Sequence, residues 1–307
     1  MIKVGNYRVT STLGSGLTSS VYLGKLNEES DDVAIKVPSR RQVLQDPTIQ
    51  DLLAHEYSIL SQLRHRHVIQ PLDFARKELF LDAQRGFRYL TSFLVLEPAS
   101  QGELSDLITS SGKLDDQTAR FYFWQILDAI DYVHCKGFAH RDIKLENLVL
   151  DSNYDLKLVD FAFACSLKST NYRIVGTDLY IAPEVFGSRS FDFRKTDIFA
   201  LGVVLYVLVL GTQPFASSRM NDRDYRLLVE NPARFWTRKM ESESFLELPE
   251  SLKELLKGIL HPDPRKRWGV KEIVLNEWYN QEVDEFEVKD KLKKILESPP
   301  HLKTPKK

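Results

Sequence analysis

The sequence predicts an α+β chain built as two lobes, and three features carry that prediction. The first third is made of short segments rich in β-branched and aromatic residues, punctuated by glycine and acidic turns. From about Glu103 onward the apolar residues recur at helical spacing. Between the two patterns lies Glu97-Pro98-Ala99, a natural joint. At 307 residues the chain is long for one compact core and comfortable for two lobes that share an interface.

Strands are predicted at Tyr7 to Leu13, Ser20 to Leu26 and Asp32 to Val37, separated by Gly14-Ser15-Gly16 and by the polar run Asn27 to Asp31. A helix follows over Asp51 to Leu63, with Leu52, His55, Glu56, Ile59 and Leu63 at helical spacings. Two more strands fit Val68 to Leu81 and Phe87 to Leu96. Thr118 to Lys136 lines Phe123, Leu127, Ile130 and Val133 along one apolar face, and Gly137 ends it as a C-cap. Short strand-like pieces stand at Asn147 to Leu150 and Leu156 to Val159. The apolar stretch Ile198 to Leu210 is shorter than the roughly 20 residues that span a bilayer, so it reads as a buried core helix. No internal repeat is visible, and the Pro- and Lys-rich end from Glu297 to Lys307 reads as disordered.

Composition narrows the function. The chain is 43% hydrophobic and 28% charged, with a formal net charge of −1, which gives no electrostatic case for nucleic acid or an anionic membrane as main partner. Met1 to Gly5 lacks a positive segment followed by an apolar one, so no secretory signal is expected. Two cysteines, Cys135 and Cys165, are too few for a disulfide framework, and an intracellular setting, cytoplasmic or nuclear, is the expectation. His65-Arg66-His67 has no Cys or acidic partner at ligand spacing and reads as polar loop, not as a metal site.

Chemistry concentrates in a few places. Gly14-Ser15-Gly16-Leu17-Thr18-Ser19-Ser20-Val21 lies between two strands, where glycines let backbone N–H groups approach phosphate oxygens; alone it is as often merely a turn. Val33-Ala34-Ile35-Lys36 ends an apolar strand on a lysine, with Glu56 available on a helix twenty residues later. The densest segment is His140-Arg141-Asp142-Ile143-Lys144-Leu145-Glu146-Asn147, followed after a strand by Asp160-Phe161-Ala162. Phosphoryl transfer needs a carboxylate to orient the attacking hydroxyl, a cation for the γ-phosphate and oxygen ligands for Mg²⁺, and these residues supply all three.

In this order the motifs resemble the protein kinase family over about Tyr7 to Tyr279. Leu13 to Val21 resembles G-x-G-x-x-G-x-V with Ser19 at the third glycine, Val33 to Lys36 is similar to V-A-I-K, His140 to Asn147 to H-R-D-x-x-x-x-N, and Ala182-Pro183-Glu184 to A-P-E. The resemblance implies a bilobal kinase fold: a small, mainly antiparallel β N-lobe with one key helix over 1–97, a larger helical C-lobe over 98–280, and a C-terminal extension over 281–307. It implies ATP and Mg²⁺, with Lys36 on the α- and β-phosphates and paired to Glu56, Asp142 as catalytic base, Lys144 at the γ-phosphate, and Asn147 and Asp160 as metal ligands. Leu13, Val21 and Ala34 would cover adenine, Glu97 and Ala99 would offer it backbone groups, and Leu96 would be the gatekeeper. Asp197 would brace the catalytic loop and Arg267 would pair with Glu184.

Lys144 and Gly176-Thr177 resemble the Ser/Thr type, with Thr177 bonded near Asp142; Ile143 to Asn147 and Glu277-Trp278 look like the calcium/calmodulin-dependent and AMP-activated branch. Glu103 and Glu146 match positions where basophilic kinases hold a substrate arginine, although Glu103 could instead cap the next helix or bind ribose. Arg141 beside Asp142 suggests regulation by an upstream kinase acting on the activation segment, with Ser166, Ser169, Thr170 and Tyr172 as candidates. Ser298-Pro299 and Thr304-Pro305 are further modification candidates. One departure is Ala162 where the family pattern has glycine, which predicts restricted backbone flips there. A nucleotide-binding pseudokinase scaffold is the alternative to an active kinase that transfers phosphate to protein Ser/Thr.

Overall fold

The computed structural model describes residues 1–16, 18–46, 48–241 and 248–296. Six antiparallel strands form the first lobe: β1 (Ile2–Val4), β2 (Tyr7–Ser15), β3 (Ser19–Lys25), β4 (Val33–Pro38), β5 (Pro71–Asp82) and β6 (Phe87–Leu96). Their order β1-β2-β3-β4-β6-β5 closes into a barrel because β1 also pairs with β5, Val4 against Phe80. Closure removes the free edges a small sheet would otherwise present. Val4, Ile35, Val37, Phe80, Phe93 and Val95 fill the interior.

Between β4 and β5 run α1 (Arg40–Gln45) and α2 (Ile49–Leu60). The spacing predicts Leu52 and Leu63 on the buried face of one helix. Instead α2 ends at Leu60, Leu52 is 38% exposed, and Leu53, Glu56, Ile59 and Leu60 are the residues it buries. Glu56 and Ile59 lie on the predicted and the observed face alike; the difference is that Leu53 and Leu60 turn in while Leu52 turns out.

The second lobe is built on α4 (Asp116–Cys135) and α6 (Phe193–Leu210), preceded by α3 (Leu104–Ser111). From Ile198 on, helix α6 is apolar all round, and burial on every side is what such a stretch requires. Asp192 caps its start by accepting the Arg194 N–H, and Gly211 ends it at φ +69°, where an added Cβ would strike the Gly112 carbonyl. Around this pair lie β7 (Phe138–Ala139), β8 (Leu148–Leu150), β9 (Leu156–Leu158), β10 (Cys165–Ser166), α5 (Glu184–Gly187), α7 (Arg223–Glu230), α8 (Pro232–Met240), α9 (Glu250–Ile259), α10 (Val270–Val274) and α11 (Glu285–Leu296). Among the described residues no helix is long and apolar enough to cross a membrane.

One apolar cluster runs through both lobes. It joins Leu53, Leu60 and Leu94 of the first lobe to Phe161, Leu158 and Ile130 of the second, and Leu158 exchanges backbone bonds with His67 and Ile69. The cleft between the lobes therefore opens from a rigid floor. Part of the C-terminal extension is ordered as α11, whose Val288 and Leu292 are buried; the end from Glu297, with Ser298-Pro299 and Thr304-Pro305, lies outside the described residues.

Candidate active site

A cavity of about 400 Å³ opens between the lobes, lined above by Leu13, Gly14, Ser15, Gly16, Ser19 and Val21 and below by Lys144, Asn147, Val149 and Asp160. Ala34 and Leu96 close its apolar end. The loop over it is the β2–β3 hairpin, held by a 2.8 Å bond from the Gly16 N–H to the Ser19 carbonyl. Leu17 lies outside the described residues. Thr18 and Ser20, expected to line the cavity, do not. Side chains alternate across β3, so Ser19 and Val21 face the cavity while Ser20 turns away to bond Ser15 Oγ at 3.2 Å. Thr18 faces a smaller space of about 80 Å³ beside α2.

Lys36 lies inside β4, which continues to Pro38 instead of ending at the lysine, and it meets Glu56 of α2 at 2.7 and 3.0 Å and Asp160 at 3.0 Å. Burial works against the Lys36 ammonium, but the two carboxylates outweigh it and hold its pKa above the ordinary lysine value. Burial also pushes the Glu56 pKa above the usual carboxylate value, against the pull of the Lys36 ammonium and the Phe161 N–H. For Asp160 burial is again unfavourable, yet Lys36 draws its pKa below the usual carboxylate value. A charged carboxylate at the cavity wall results.

The loop that carries Asp142 is held from behind. Asp197, at the start of α6, accepts the backbone N–H groups of His140 and Arg141 at 2.9 and 2.8 Å and His134 Nε2 at 2.9 Å. Burial disfavours this carboxylate, but the His134 bond and the neighbouring histidines more than offset it, so its pKa lies below the usual value. His134 is a partner that sequence reading missed. His140 donates from Nε2 to the Val159 carbonyl and accepts the Asp142 N–H at Nδ1, with its ring edge-on to buried Phe161.

Asp142 is gripped on all sides. Asn147 Nδ2 donates to its carbonyl at 2.8 Å and its Oδ2 at 3.1 Å, Lys144 Nζ lies 2.9 Å from Oδ2, and Thr177 Oγ1 donates to Oδ1 at 3.3 Å. Lys144 also reaches Thr177 at 3.1 Å. Asp142 thus stands one side chain beyond the cavity wall, behind Lys144 and Asn147. At the far end of the segment Arg267 forks onto Glu184 at 2.7 and 2.9 Å, both buried. Ala162 is not strained: the left-handed residue is Asp160, at φ +65°, so alanine costs nothing in this conformation.

The protein kinase domain family matches residues 7–279. The chain belongs to the protein kinase family. Among curated relatives it is 34% identical over 286 residues to CBL-interacting serine/threonine-protein kinase 20 of Arabidopsis thaliana, covering 92% of this chain and 60% of that one. It is 33% identical to CBL-interacting protein kinase 8 of Oryza sativa subsp. japonica, covering 91% of this chain and 58% of the relative. With serine/threonine-protein kinase SIK2 of Gallus gallus the figures are 34%, 90% and 32%. The chain thus spans about 60% or less of the length of these relatives.

The family uses ATP and Mg²⁺, and the atoms of this cleft suit both. Gly14 has neither a left-handed φ nor any neighbour that a Cβ would meet within 4 Å, so nothing in the protein itself demands glycine there. A phosphate chain drawn close to the loop backbone does. Neither the Glu97 carbonyl nor the Ala99 N–H is used by another described residue, which leaves an acceptor and a donor for adenine. The Glu97 side chain has a separate task, tying the joint to both lobes through the Gln70 N–H and Lys157. The Asn147 amide donates twice to Asp142, which fixes its orientation and leaves Oδ1 for a cation beside the charged Asp160. Among the described residues no group of three His, Cys, Asp or Glu stands ready to hold a metal alone, as befits an ion shared with phosphates.

Sequence reading also missed Ile69, Val149 and Val159, which complete the apolar wall. Val149 was open to inference: it lies two residues after Asn147, and in an extended strand such residues share a face. Glu103 and Glu146 line the outer end of the same cavity. Arg141 hydrogen-bonds the Arg173 carbonyl; Ser166 and Thr170 are exposed, Ser169 is intermediate, and the Tyr172 ring packs among aromatics.

Proposed function

We propose that this chain transfers the γ-phosphoryl group of ATP to serine and threonine hydroxyls of proteins, with a preference for arginine upstream of the target. What supports the transfer is one arrangement. Lys36, bonded to Asp160 at 3.0 Å, lines one cleft with Asp160 and Asn147, and Asp142, bonded to Asn147 at 3.1 Å, stands one side chain beyond its wall. Asp142 orients the incoming hydroxyl and takes its proton, while Lys144 stands beside it to meet the negative charge of the transferred group. Lys36 would hold the α- and β-phosphates and the β2–β3 loop would cover them. Mg²⁺, held by Asn147 and Asp160, supplies neutralisation of phosphate charge. ATP is an intracellular substrate, so a cytoplasmic or nuclear site of action is part of the proposal. The deciding experiment is transfer of radiolabel from γ-labelled ATP to Ser/Thr peptides, with Asp142→Asn as control. Labelling by the wild type alone is expected; ATP binding without labelling would mean a scaffold.

The arginine preference draws on Glu103 and Glu146. Helix α3 is capped through the Glu103 backbone: the Asp106 carboxylate accepts its N–H, and its carbonyl accepts the Asp106 N–H. The Glu103 carboxylate is left with Ser105 as its donor, at 2.7 Å. Burial pushes its pKa up, with Asp106 and Glu146 adding to the shift against Ser105. A guanidinium would relieve both the burial and the repulsion. Glu103→Ala should lower kcat/KM about tenfold for peptides with an upstream arginine, and far less for peptides without one. Equal losses on both peptides would rule the role out. The preference is full above the raised Glu103 pKa and fades as the pH falls through it, because the protonated carboxyl no longer attracts the guanidinium.

A further inference from the structure

The family resemblance implies a phosphate as partner for Arg141, but the structure gives that guanidinium other contacts. Its Nη2 donates to the Arg173 carbonyl at 2.5 Å, and its Cζ lies 5.0 Å from the centre of the Phe193 ring. Phe193 is buried at the first turn of α6. Tyr172 stacks on it, with ring centres 5.4 Å apart and planes 13° apart, and Phe191 stands edge-on to both at 5.1 and 5.3 Å. The upstream part of the segment is tied down as well. Cys165 and Ser166 pair antiparallel with Ala139 and Phe138, and the Leu167 N–H donates to the Gly137 carbonyl. The Ser166 and Ser169 hydroxyls accept the N–H groups of Lys168 and Asn171, each within its own turn.

Aromatic stacking and a cation over a ring are attractive beyond the area they bury, and desolvation strengthens the second. They act here where it matters, since the residue after Arg141 is Asp142. We propose that this aromatic clamp, Tyr172 and Phe191 on Phe193 with Arg141 over it, holds the activation segment in its transfer-competent shape without a phosphate. Tyr172 is then a positioning residue: it works through Phe193 and Arg141 and touches no reacting atom. The inference rests on the kinase reading above.

The full chain, treated with a broad-specificity phosphatase and shown phosphate-free by intact mass, should keep the kcat of untreated protein. Tyr172→Ala should lower kcat about tenfold with the KM for ATP unchanged, and should speed amide hydrogen exchange over residues 165–176. Tyr172→Phe keeps the stack but has no acceptor hydroxyl, and should match the wild type in both. Transfer lost only after phosphatase treatment overturns the proposal, as does an unchanged kcat or unchanged exchange in Tyr172→Ala. If Tyr172→Ala does not fold, a reduced kcat in Tyr172→Phe overturns it and a wild-type kcat together with phosphatase resistance upholds it. Absence of transfer from treated and untreated protein alike strikes at the kinase reading instead, and the exchange measurement still judges the clamp.

Discussion

Asp142→Asn should lower kcat roughly 10²–10⁴-fold while the protein stays folded and binds ATP as before. Asparagine fits the contacts. Its single oxygen can accept from Lys144 and Asn147, which both meet Oδ2 now, and its NH₂ group can face the Thr177 hydroxyl, which meets Oδ1. The backbone bond from Asn147 to the residue-142 carbonyl is untouched, as is the brace from Asp197. What disappears is the proton acceptor. Thermal denaturation and ATP titration should therefore match the wild type, with the loss confined to turnover. A variant that kept more than about a tenth of wild-type turnover would take the base role away from Asp142.

Lys36, Asp142, Asn147 and Asp160 could be found in the sequence because each sits at a recognisable point: an apolar strand, a loop before a strand, a turn after one. Their mutual distances could not. Periodicity reports which face of an element is buried, but it is silent on which elements meet. His55 Nε2 bonds the Ala164 carbonyl at 2.7 Å across 109 residues, and nothing local to either residue announces it. The same holds for Arg141, whose guanidinium meets the Arg173 carbonyl 32 residues away. Short elements were lost for a different reason. Strand β1, three residues long, and α1, six residues long, are too brief to show a period, yet β1 is what closes the barrel. At Leu52 and Leu53 the apolar residues are adjacent, and helical spacing alone does not say which of them turns in.

The Glu184–Arg267 pair carries the largest expected effect on stability. The Arg267 guanidinium is enclosed: besides its fork on Glu184 it donates to the carbonyls of His261 at 3.0 Å, Lys195 at 2.7 Å and Pro262 at 3.3 Å, and it lies over the Phe199 ring. Every donor of the planar group thus has an acceptor. Arg267→Met should cost about 3–5 kcal/mol, because it leaves a buried carboxylate and three carbonyls without their partner. The melting temperature should fall by roughly 5–8 °C. Losing the pair together is a milder event, since an apolar pair of similar volume has no charge to strand. Glu184→Met combined with Arg267→Met should therefore be more stable than Arg267→Met alone, which urea unfolding of the three proteins would read directly. A double variant no better than the single one would mean that Arg267 acts through the three carbonyls and the ring. The distinction bears on catalysis, because Glu184 closes the activation segment that begins at Asp160. Turnover lost in the single variant and partly regained in the double would show that the segment's far anchor needs charge balance more than it needs charge.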